Sequence, residues 1–99
     1  MPEYSLIKIT KSTRSDKKMM AIFENNNTNR TKTVHFGAKG MSDYTIHKDI
    51  DRKERYINRH KTRENWNDYT SAGALSRYIL WNKPTLKASI EDYKKRFKL

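Results

Sequence analysis

Hydrophobic and polar positions alternate along the first third of the chain, and then the period changes. In "YSLIKITK", residues 4–11, Ile7 and Ile9 fall on one side of an extended chain and Lys8 and Thr10 on the other. "KKMMAIFE" (17–24) is a short apolar run rich in strand formers. "RTKTVHF" (30–36) alternates again, with Thr31 and Thr33 opposite Lys32, Val34 and Phe36. "STRSD" and "NNNTN" separate the runs with turn-forming residues. The pattern predicts a three-stranded antiparallel meander whose outer face carries Lys8, Lys18 and Arg30 or Lys32.

"GAKG" (37–40) closes the strand region, residues 1–36, and helical spacing follows over 41–99. Ser42 is a plausible cap for a helix starting near Asp43 or Tyr44, while Asp49 offers a later start. "TSAGALSRYILW" (70–81) is the most apolar helix, with Leu75, Tyr78, Ile79 and Leu80 at core-like spacing; Asn82 and Pro84 stop it. Thr85 then caps a helix in which Leu86, Ile90, Tyr93 and Phe97 form an apolar stripe. Strands followed by about three helices, with no repeat and no linker, predict a single α+β domain over residues 1–99.

Between these elements lies "KDIDRKERYINRHKTRENW", with seven Lys or Arg against four acids. Taken as one helix over 44–64 at about 100° per residue, Lys48, Arg52, Arg55, Arg59 and Arg63 share an arc of roughly 80° that holds no acid. Ile46, Ile50 and Ile57 lie nearly opposite, as a core stripe would. Asp51, four residues before Arg55, could engage part of this charge in a helical ion pair. A solvated helix face would also be charged, but it would mix the signs. A ridge of one sign reads as a surface for anions. Lys94, Lys95, Arg96 and Lys98 of "KKRFK" make a second patch, although cations also favour a helix C-terminus.

Composition strengthens that reading. The 99-residue chain carries a net charge of +11, with nine basic and five acidic residues up to Ile50 and thirteen against six beyond it. A folded domain with a pI near 10.0 usually meets nucleic acid, though an acidic protein or anionic surface demands the same balance. Eleven per cent of the residues are aromatic, enough to anchor a thin core despite a mean hydropathy of −1.09. There is no cysteine, so disulfides and thiolate metal sites are excluded. "MPEYSLIKIT" does not read as a signal peptide, and no stretch is long and apolar enough for a membrane helix.

Other constellations point less clearly. Gly37, Lys39 and Gly40 of "GAKG" could cradle a phosphate. The string is similar to the G-x-x-G loop of KH domains, but it follows a strand, where a simple turn explains its glycines. His35, His47 and His60 are too scattered for a metal site. His47, Asp51, Asn58 and His60 fit an HNH-nuclease pattern only without the strand pair that should bracket them. Trp66 and Trp81 could stack on bases, but each follows a helix and suits a core anchor better. No catalytic residue, cofactor or metal site is expected.

"FGAKGMSDYT", "RYINRHK", "ENW", "AGALSRYILWNKPTLKASI" and "YKKRFKL" lie within His35 to Leu99, nearly two-thirds of the chain. This stretch resembles a family of small basic proteins of unknown function encoded by large double-stranded DNA viruses, the giant, mimivirus-like viruses among them. The resemblance implies a viral origin and a place in the virion, or in the host-cell cytoplasm at the viral factory. It transfers no catalytic residue. With the charge, it leads to the expectation of a non-enzymatic, sequence-independent double-stranded DNA-binding protein, packaged with and condensing the genome. The alternative is a minor capsid or core protein that docks acidic virion partners through the same basic face.

Overall fold

The computed structural model describes residues 3–99 and has an α+β architecture, with a three-stranded antiparallel sheet followed by helices. Strands β1 (Tyr4–Lys11), β2 (Lys17–Asn25) and β3 (Thr31–Ala38) pair in chain order, with β2 in the centre. The Asn25 side chain shapes the second turn by accepting the Asn27 and Thr28 amides, and Asn29 takes the left-handed conformation that asparagine tolerates.

Alternation holds in β2, where Ala21 and Phe23 are fully buried, and in β3, where Phe36 is. It fails in β1. The register slips between Leu6 and Lys8, which face Phe23 and Ile22, so Ile7 is the extra residue of a β-bulge. The bulge inverts the alternation: Leu6 and Ile9 pack on the core, and Ile7 is turned to solvent. Two of the expected outer-face cations are also elsewhere. Lys18 reaches the buried Asp43 carboxylate at 2.6 Å, and Lys32 donates to Thr70 over the Tyr4 ring.

Helix α1 (Tyr44–His47) is a single turn capped by Asp43, not by Ser42, and α2 (Ile50–His60) has its own cap in Asp49. The expected continuous helix over 44–64 is therefore broken. Lys48 adopts left-handed φ and ψ between the two pieces, and Arg63 lies in the turn after α2. Helix α3 (Ala72–Leu75) continues into a π-helical turn, Ser76–Leu80, closed by the Trp81 amide on the Ser76 carbonyl. Thr85 caps α4 (Leu86–Phe97) as its sequence suggests.

Leu75, Ile79, Leu80 and Tyr93 complete the core against the sheet. Tyr69 fastens β1 to it, since its hydroxyl accepts the Tyr4 amide and donates to the Tyr4 carbonyl. No helix among the described residues is long and apolar enough to cross a membrane.

A candidate nucleic-acid interface on helix α2

The orientation of α2 is set by an aromatic column, and not by its isoleucines. Tyr56 is buried and lies parallel to Trp81, with ring centroids 4.4 Å apart and 4° between planes. His60 stacks on Tyr56 at 4.3 Å, and His47 tilts against Trp81 at 5.3 Å. Burial pushes the Tyr56 phenol up to about 12, so it stays neutral. Lys53, one turn before Tyr56, turns inward as well. Its ammonium donates to the Asn82 carbonyl at 2.7 Å and sits over the Tyr44 ring, and desolvation lowers its pKa.

The inward face of α2 is thus Lys53, Tyr56 and His60, with Ile57 half-buried. Ile46 is 61 % exposed and Ile50 58 %, which corrects the expected isoleucine core stripe. The reason is a break in the chain combined with a distant stacking partner. The break at Lys48 uncouples Ile46 from α2, and the large Tyr56 ring on the column displaces more water than the β-branched Ile50 at the helix start.

Rotation of the inward face leaves the arginines outside. Arg52, Arg55 and Arg59 are exposed, and their guanidiniums make no ion pair or hydrogen bond among the described residues. Asp51 does not pair with Arg55. Asp49 is occupied in accepting the Asp51 and Arg52 amides. The three arginines line a cleft of about 370 Å³ with Asn58, Met41, Ser42 and Trp81, and no carboxylate lines it. Asn58 belongs to the same wall.

The other expected site residues are dispersed. Lys48 and Arg63 are exposed beyond the two ends of α2. Lys94, Lys95 and Lys98 are exposed on and after the last turn of α4, while Arg96 pairs with Asp92 and lies over the Tyr78 ring. None of the α4 cations lines the α2 cleft. In the "GAKG" loop the Lys39 and Met41 amides are bonded to the Asp16 and Ala38 carbonyls. The one-turn helix beyond it has the Asp43 carboxylate at its own N-terminus.

A second cleft, of about 390 Å³, lies between the sheet, α2 and α3, and shares Met41, Ser42, Arg59 and Trp81 with the first. In it Glu64 approaches the His60 ring at 3.5 Å and lies against Gly73, where a Cβ would overlap the carboxylate. His35 bonds Ser12. No three His, Asp or Glu side chains gather as metal ligands among the described residues.

A family model described as a family of unknown function (DUF5754) matches residues 7–60, from β1 to the last residue of α2. No curated protein and no solved structure matches the chain. The matched segment contains every residue of the cleft wall except Trp81.

Proposed function

We propose that this chain, which belongs to that DUF5754 family, is a non-enzymatic protein that binds double-stranded DNA without regard to sequence, through the α2 arginines. The observation that carries this reading is the set of three guanidiniums on one face of α2, with no partner and no acid between them among the described residues. Phosphates satisfy such groups in two-pronged contacts that an isolated lysine cannot make. Lys48 and Arg63 extend the contact surface beyond the helix ends, and Lys94, Lys95 and Lys98 give a second surface for a neighbouring stretch of DNA. The resemblance of residues 35–99 to small basic proteins of large DNA viruses supports a role with packaged viral genomes, in the virion or the viral factory.

A gel shift on random duplex tests the reading. Arg55→Glu with Arg59→Glu should strongly weaken the complex formed by the parent chain. The melting temperature should stay nearly constant, because exposed charges without partners contribute little to stability. Unchanged DNA binding by this variant would refute the role assigned to α2.

A capsid or core component docking acidic proteins is the second reading. It is favoured by Met41, Ile46 and Ile50, which are exposed in the same stretch of chain as the arginines. Such a protein would fail to shift random duplex at low salt.

A further inference from the structure

Phosphate contact accounts for the arginines of the α2 cleft but leaves the rest of its lining without a role. Asn58 and Ser42 bring an amide and a hydroxyl that have no side-chain partner among the described residues. Met41 lines the cleft with an apolar side chain that is 65 % exposed. Trp81 forms a rigid apolar wall, held in place by its parallel stack on Tyr56. A duplex backbone is convex, so its phosphates could meet the guanidiniums without filling this concavity.

A concave site with an apolar wall and a few converging polar groups has the form of a small-ligand pocket, and about 370 Å³ is within the size of one. Guanidinium planes, a side-chain amide and an aromatic wall are the groups with which proteins hold unstacked bases. The Asn58 amide offers both a donor and an acceptor, as the pairing edge of a base does. In a duplex that edge is occupied by the opposite strand. Only an unpaired nucleotide presents it.

We propose that the cleft receives one unpaired nucleotide of the bound DNA. Its base lies against Met41 and Trp81 and faces Asn58, and its phosphate rests on Arg52, Arg55 and Arg59. This deepens the DNA-binding reading above and rests on it. A strand end or a single-stranded stretch is then held more tightly than continuous duplex.

The test compares an oligo-dT of about 15 nucleotides with a duplex of the same length, at one salt concentration, by fluorescence anisotropy on the full chain. The single strand should bind about tenfold more tightly, the low end of what one base held by protein side chains contributes. Asn58→Ala with Met41→Ala should bring the ratio close to one while duplex affinity is kept, since neither residue is charged. In a Trp66→Phe background, oligo-dT should quench the emission of Trp81. Equal affinities in the parent chain, or a preference that survives the double variant, would overturn the inference and leave the duplex reading standing. Failure of both probes to bind would remove both.

Discussion

Loss of the Asp43 charge would strand the Lys18 ammonium. The carboxylate is 1 % exposed, accepts from Thr45 as the cap of α1, and meets Lys18 at 2.6 Å. Asp43→Asn retains the capping oxygen but replaces the oxygen that accepts from Lys18 with an amide NH2, so it breaks the ion pair and its hydrogen bond while leaving the cap. The loss should be about 3 kcal/mol in urea unfolding with an unchanged slope, and smaller than the sum of single effects when combined with Lys18→Met. An unaffected urea midpoint in Asp43→Asn would mean that the pair is not formed. Local alternation assigned Lys18 to the open face of the sheet, because its partner lies 25 residues away and no neighbouring residue announces it. Asp92 gives a second test, this time against pH. The Asn82 amide, helped by Arg96, holds its carboxyl below the ordinary 3.8. The folded state therefore favours the ionised form, and that contribution is complete above the ordinary value and lost as pH falls through the lower one. Asp92→Asn should be less stable than the parent chain near neutrality, and the two stability curves should converge in acid.

Helix α2 shows how far a helical projection carries and where it stops. The projection placed Arg52, Arg55 and Arg59 together on an outward arc, and the structure keeps them there. It also gave the core to Ile46, Ile50 and Ile57, whereas the buried side chain is Tyr56. Two features hid this. Lys48 breaks the helix by taking a left-handed conformation usually left to glycine or asparagine, and Trp81, which fixes the face of α2, lies 25 residues beyond Tyr56 on another element. Asp49, four residues before Lys53, was the available sign of the break, since it caps the second piece. Tyr56→Ala should then cost about 3 kcal/mol, enough to lower the melting temperature by more than about 12 °C. Ile50→Asp should change stability by no more than about 0.5 kcal/mol, because the site is already in water. Thermal unfolding of the two variants decides between the faces: the opposite ranking would return α2 to its isoleucine orientation. Helix α4 was readable because its signals are local, with Thr85 as its cap. The β1 bulge was not, since a bulge is set by pairing with β2.

Across the whole molecule, the acids and the cations are used differently. Asp43 is drawn into an ion pair that ties β2 to the cap of α1, Asp92 into an ion pair within α4 and a hydrogen bond from Asn82, and Asp49 and Asp68 into caps and turns. Lys18, Lys32, Lys53 and Arg77 are among the cations whose charged ends find internal partners, the last between Trp66 and Tyr78. Much of the remaining positive charge stays exposed, which concentrates the +11 outside. Composition alone could report that excess but not its placement, because placement depends on which cations find internal partners. The placement sets a measurable quantity. Three phosphate contacts from Arg52, Arg55 and Arg59 should give a slope of log K against log salt near −2.7 on duplex DNA, and Lys48 and Arg63 would steepen it to about −4.5. Replacing the three arginines with alanine should flatten the slope by about 2.7, whatever the duplex sequence. Unrelated duplexes of equal length should bind within a few-fold of one another, since none of these contacts reads a base edge of paired DNA. A slope that the triple variant leaves unchanged would shift the duplex contact to the exposed lysines of α4, because those cations lie outside the cleft and would neutralise phosphate without it.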